Sequence, residues 1–143
     1  MKYKTLLDSA AKLKQPSAKS AKEYSEHRDK LAAEMNIIMN ARKDIDKMIG
    51  QDNKEMMQDN HRNHARFMES LFVAYSPETF VKTVIWVFKA YRSHGFNISY
   101  WPAQLDTWVE LLKKELSPEA FEEIYHFYNW MIVNQAAFVE LSE

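Results

Sequence analysis

The chain has 143 residues and a formal net charge of −1. Two glycines and four prolines, against 46% hydrophobic and 27% charged residues, exclude a turn-rich sandwich, a Gly-rich phosphate loop and a disordered chain. The lack of cysteine excludes disulfides, thiolate metal sites and a cysteine nucleophile, and it fits a reducing, cytoplasmic setting.

Helix signals dominate in chain order. Residues 2–14 form a short basic helix with Leu6, Leu7, Ala10 and Leu13 on one side, closed by Gln15-Pro16-Ser17. No breaker occurs from Ala18 to Ile49, so one long helix is predicted there. Within it Leu31, Met35, Ile38, Ile45 and Ile49 recur at four- and three-residue steps, a coiled-coil-like seam that predicts a homodimer interface. Gly50 ends it. Asp52 or Asn53 then caps a helix running to about Tyr75. Ser76-Pro77-Glu78 opens a helix to His94, with an N-cap serine, proline at the first helical position and an acid in the first turn. Gly95 ends that helix in a left-handed conformation. Ser99 and Pro102 start a helix to Leu116, and Ser117-Pro118-Glu119 starts one to about Leu141.

The two Ser-Pro-Glu starts lie 41 positions apart, and at that offset Phe67 matches Trp108 and Leu71 matches Leu112. This predicts two helical hairpins of similar build, 52–94 and 100–141. The fold class expected is all-α: a helical bundle of four core helices plus the long N-terminal helix, with globin-like packing as a variant. Residues 1–50 read as an N-terminal helical extension, and 51–143 as an aromatic-rich bundle.

Charge is uneven. Residues 1–22 carry six lysines and one acid, whereas 105–143 carry two lysines and eight acids. These read as two solvated ends, the alternative being that they pair with each other or across a dimer. No apolar run follows the basic start, so neither a signal peptide nor a membrane span is expected. The basic cluster lacks arginine and interleaved aromatics, which argues against nucleic acid as a partner.

The chemistry-bearing residues are few. His61 and His64 stand three apart on one helix face and can point the same way, as metal or haem-iron ligands do. All eight phenylalanines and all four tryptophans lie in the second half, where Phe67, Trp86, Tyr91 and Trp108 could wall a flat ligand. They equally fill a small core. His94 beside Gly95 reads as a helix-end cap within a loop, 92–101, that is a candidate pocket mouth. Glu123-x-x-His126 matches half of a di-iron motif, but no second copy exists, so no metal site is assigned. No hydrolase or P-loop motif occurs.

His64-Ala-Arg-Phe-Met-Glu-Ser-Leu, Ala74-Tyr-Ser-Pro-Glu-Thr-Phe80, Trp86 and Gly95 together resemble the helical module that precedes cobalamin-binding domains in bacterial regulatory and corrinoid proteins. The likeness spans roughly 60–141. A looser likeness is to globin-like, haem-free sensor domains of stress-signalling proteins. The α/β cobalamin domain with its cobalt-ligand motif is missing, so no ligand residue is carried over. The resemblance implies a sensory or regulatory domain. The function expected is therefore a non-catalytic bacterial signalling domain that acts through a protein partner or a hydrophobic ligand. The alternative is a tetrapyrrole sensor or carrier, haem or cobalamin, with His61 or His64 as axial ligand. The residues alone require no cofactor.

Overall fold

In the computed structural model, which describes residues 2–143, eight α-helices and no strand occur among the described residues: α1 (Lys2–Ala10), α2 (Ala18–Asn40), α3 (Ile45–Ile49), α4 (Lys54–Val73), α5 (Pro77–Ser93), α6 (Tyr100–Glu115), α7 (Pro118–Val133) and α8 (Gln135–Leu141). The all-α bundle is as expected, and no helix is long and apolar enough to cross a membrane among the described residues.

Helix α2 is the hub. It packs along α4 and touches α6 and α7, while α6 and α7 pack on each other. This corrects two expectations. The predicted helix 18–49 breaks after Asn40, where Arg42 pairs with Asp44 at 3.0 Å and the chain turns into α3. The turn lets Ile45, Met48 and Ile49 enter the core, which a straight helix would carry away from it. The proposed dimer seam is likewise an internal one. Leu31, Met35, Ile45 and Ile49 are buried within the chain's own core, and only Ile38, 40% exposed, remains outside. Residues 1–50 are thus no extension, since α1 and α2 complete the bundle.

The N-termini of α2 and α7 meet at one end and cap each other. Ser17 and Ser117 each accept the third amide of their own helix, from Ser20 and Ala120. Glu123 of α7 then accepts the Ser17 amide at 2.6 Å and the Ser20 hydroxyl at 2.7 Å. Glu23 of α2 accepts the Ser117 amide at 2.5 Å and its hydroxyl at 2.8 Å. Each glutamate lies six residues after its own cap serine, so the contact is reciprocal. The Ser17 amide and Ser20 hydroxyl hold the Glu123 carboxyl below its usual pKa. The half di-iron motif is thereby accounted for as a cap, and His126 faces Glu122 instead. Lys2 with Glu140, and Lys19 with Glu119 at 3.8 Å, tie the basic start to the acidic end, so the two ends are paired rather than free.

The hairpin 100–141 forms, but it is not continuous. Asn134 ends α7 by donating from its side chain to the Trp130 carbonyl at 2.8 Å, and α8 turns so that Phe138 is buried against Trp130 and Phe88. The hairpin 52–94 does not close. Helix α4 lies on α2, whereas α5 packs on α1 and α8, and the backbones of α4 and α5 do not run against each other. Three tethers hold α1 and α8 in place: the Tyr75 hydroxyl donates to the Ala10 carbonyl at 2.6 Å, Trp130 Nε1 to Ser9 at 2.8 Å, and Arg92 to the Val139 carbonyl at 2.9 Å. Gly50 and Gly95 have φ of +84° and +98° and approach closely, because Asn53 bridges the Ile49 and His94 carbonyls at 2.7 and 2.8 Å. A Cβ on Gly50 would stand 3.2 Å from the Gly95 oxygen. Asn53 therefore ties two turns together rather than capping α4 with its side chain.

Candidate functional site

The splay between α4 and α5 opens a cleft of about 310 Å³. Helix α4 contributes Asn60, Asn63, His64, Phe67 and Met68, and α5 contributes Thr83, Val84, Trp86, Val87, Phe88 and Tyr91. Trp101, Gln104 and Leu105 of α6 form the back, with Met131 of α7. The volume sits at the small end of ligand pockets, which run from roughly 300 to 1,000 Å³. Trp86 lies at the rim, lining the cleft while 65% exposed. Phe88 stacks on Trp101 with ring centres 4.4 Å apart, which makes part of the wall rigid and flat.

Four of the seven expected site residues meet here: His64, Phe67, Trp86 and Tyr91. Trp108 lies one layer deeper, fully buried and stacked on the His64 ring at 4.6 Å. His61 and His94 are corrections. His61 is 0% exposed and belongs to a sealed polar network behind the cleft. Its Nδ1 lies 2.7 Å from Asn36 Oδ1 and its Nε2 3.2 Å from the Tyr100 hydroxyl, so both nitrogens are committed. The Nδ1 N–H donates to that amide oxygen, and the Tyr100 hydroxyl, whose one hydrogen goes to Asn60, lies against Nε2. His94 is exposed and bonds through Nδ1 to the Ala90 carbonyl of its own helix at 2.8 Å. Arg92 of the same loop is tied to α8, so the stretch 92–99 does not form the mouth.

His64 faces both ways. Its Nε2 lies 2.8 Å from the Tyr128 hydroxyl, which continues to the Tyr24 hydroxyl at 3.4 Å. Burial pushes the pKa of His61 and of His64 down to about 3, so both rings are neutral at pH 7. Burial likewise raises the Tyr100 and Tyr128 phenols well above their usual values. Neither phenol is ionised near neutrality, and His64 has no acidic neighbour to make it a strong base.

Residues that sequence reading missed are Asn60, Gln104, Tyr100 and Tyr128. Asn60 is 4% and Gln104 2% exposed. Asn60 Oδ1 accepts from the Tyr100 hydroxyl at 2.8 Å and from Gln104 Nε2 at 2.9 Å. The signal was available: Asn60 stands one turn before His64 and so shares its face.

The tetrapyrrole arrangement has little geometry behind it. His61 is sealed, His64 Nε2 is engaged, and a four-ring macrocycle outsizes a cleft of about 310 Å³. No group of three or more metal-ligating side chains occurs among the described residues. Comparison with models of known families, with characterised proteins and with solved structures finds no match for this chain.

Proposed function

We propose that this protein is a non-catalytic sensory or regulatory domain that works by binding one small, flat, mainly apolar molecule between α4, α5 and α6. The observation that carries this reading is the cleft itself. A protein this small ordinarily closes its helices on one another, because dispersion and burial both reward contact. Here α4 and α5 are held apart, with aromatic walls and a few polar groups in the lining. That combination is the general form of a small-molecule site.

The non-catalytic part rests on the polar groups. His64 is neutral, its tyrosine partner is a phenol that burial keeps protonated, and the remaining polar lining consists of amides, Thr83, Tyr91 and the indole N–H groups of Trp86 and Trp101. None is an activated nucleophile. The signalling role is the one implied by the resemblance to regulatory helical modules. Binding would tighten α5 against α4 and so report occupancy through α1 and α8, the helices on which α5 rests.

A neutral hydrophobic dye, N-phenyl-1-naphthylamine, tests this. Saturable fluorescence enhancement is expected in the native protein, and its loss in Val84→Phe, which fills the cleft. Equal enhancement in native protein and variant, with both folded by circular dichroism, contradicts the reading. Added haemin is expected to give no Soret shift that depends on His64.

A further inference from the structure

The cleft contains no Asp, Glu, Lys or Arg among its lining residues. An ion placed there would lose its hydration with no counter-charge in return. Most of the polar lining is already engaged. His64 Nε2 lies 2.8 Å from the Tyr128 hydroxyl, Gln104 is bonded to Asn60 at 2.9 Å, and Asn60 and Asn63 both bond the Tyr91 hydroxyl. The exception is the indole N–H of Trp101. Four buried side-chain polar atoms lack a hydrogen-bond partner among the described residues: Glu34 Oε2, Asn40 Oδ1, Trp101 Nε1 and Trp108 Nε1. Of these residues only Trp101 lines the cleft, and it is 3% exposed. An indole nitrogen is a donor only, so it needs an acceptor from outside its own ring. The rings of Tyr91 and Tyr100 stand edge to face with it, centres 6.1 and 5.0 Å away, and a π face is a far weaker acceptor than a carbonyl oxygen. A buried donor left unpaired is costly, and a ligand that pairs it recovers that cost.

The group placed to pair it is the occupant of the cleft. Phe88 of α5 lies flat on the Trp101 ring, so the movement of α5 proposed above also shifts what covers the nitrogen. A complementary ligand is flat, uncharged, and carries a hydrogen-bond acceptor in the plane of its ring. Resting on the ligand-binding reading above, we propose that the cleft selects a neutral aromatic carbonyl compound, an aryl ketone or aldehyde, whose oxygen accepts from the Trp101 indole N–H. Conjugation to the ring keeps that oxygen in the ring plane. A hydrocarbon of the same shape leaves the donor unpaired. A carboxylate would bond the N–H more strongly, but its desolvation without a cation outweighs one such bond.

Three naphthalenes of similar size separate the terms: 2-acetylnaphthalene, 2-ethylnaphthalene and 2-naphthoate. Each is titrated as a competitor of N-phenyl-1-naphthylamine. The ketone is expected to displace the dye, and the carboxylate to bind about tenfold or more weakly than the ketone. The ketone is also expected to move the Trp101 indole 1H–15N resonance downfield, as hydrogen bonding does, and the hydrocarbon is not. In Trp101→Phe the ratio of ketone to hydrocarbon affinity is expected to fall about tenfold, a comparison that cancels the different hydrophobicity of the two probes. If that ratio is unchanged, if the Trp101 resonance does not move downfield, or if the dye binds and the ketone does not displace it, the carbonyl assignment is overturned while the cleft stands. A carboxylate that competes as well as the ketone overturns the requirement for a neutral ligand. If the dye itself does not bind, the cleft reading falls first and takes this assignment with it. Because the resonance is read in the native protein, a misfolded Trp101→Phe leaves the test intact.

Discussion

The α2–α7 side and the α4–α5 side of this molecule are built from similar helices but end differently. On the first side the Glu23 and Glu123 caps lock two helix starts together, and behind them the rings of Tyr24 and Phe127 each pack edge to face, at about 5 Å, on Phe72, which α4 contributes from its buried face. On the second side α5 leans away onto α1 and α8 and leaves a lined opening. The difference separates the side that carries stability from the side on which the proposed recognition rests. Fully satisfied caps and a filled core supply the first, and the second rests on an aromatic-walled cleft with a few polar groups in its lining.

This contrast can be broken by substitution. The largest expected effect is on the closed side. Phe72→Ala removes a fully buried ring that touches Tyr24 and Phe127, and is expected to cost about 3–5 kcal/mol in urea unfolding, with dye affinity retained in the folded fraction. A loss below about 1 kcal/mol would show that this side is not the tightly packed one.

Acid probes the boundary between the two sides, where His61 is sealed and His64 faces both ways. Both rings are neutral when folded, with pKa values pushed down to about 3, whereas the unfolded chain titrates near its ordinary value of about 6.5. Between those values the unfolded state holds more protons, so stability is fully present above pH 6.5 and falls as pH drops toward 3. From pH 6.5 to 5, His61 alone should remove about 2 kcal/mol, with His64 acting in the same direction. Denaturant midpoints measured across that range check the sign, and His61→Gln should flatten the slope. Glu123, whose pKa is lowered, contributes above the ordinary carboxylate value and loses its contribution only at more acid pH.

Glu123→Ala frees the Ser17 amide and the Ser20 hydroxyl and is expected to cost about 1–2 kcal/mol. Glu23→Ala should match it within about 0.5 kcal/mol if the two caps are equivalent. Thermal melts of the two variants decide whether the clasp is reciprocal in energy as well as in geometry. The smallest stability effect is expected at the rim. Trp86→Ala should shift unfolding by no more than about 0.5 kcal/mol, since the ring is mostly in water, yet weaken dye binding several-fold. An equal loss of stability at Trp86 and Phe72 would erase the contrast.

Much of this architecture was legible in the sequence because it is local. The two Ser-Pro-Glu starts cap where expected, with Ser76 and Ser117 accepting amides three residues on. Gly95 has the left-handed φ foreseen for it. What was not legible depends on contacts between distant residues. The periodicity of Leu31–Ile49 identifies a buried stripe but not whose core buries it, and the answer lies in α4, α6 and α7. The break after Asn40 has no proline or glycine to announce it. Asn134 likewise reads as an ordinary polar residue until its amide is seen to bond Trp130. At the site, aromatic spacing brought forward Phe67, Trp86 and Tyr91, which the structure places together in the cleft lining, since helix faces are periodic. Asn60 and Gln104 escaped because an amide's role depends on what it bonds, and these two partners stand 44 residues apart.

The most direct test of the cleft is a two-dimensional 1H–15N NMR titration of the full chain with N-phenyl-1-naphthylamine. Saturable shifts are expected at residues 60–68, 83–91 and 101–105 and at the indole N–H groups of Trp86 and Trp101, with α2 near Ser17–Glu23 unmoved. No saturable shift, or shifts centred on the α2–α7 clasp, would contradict the account.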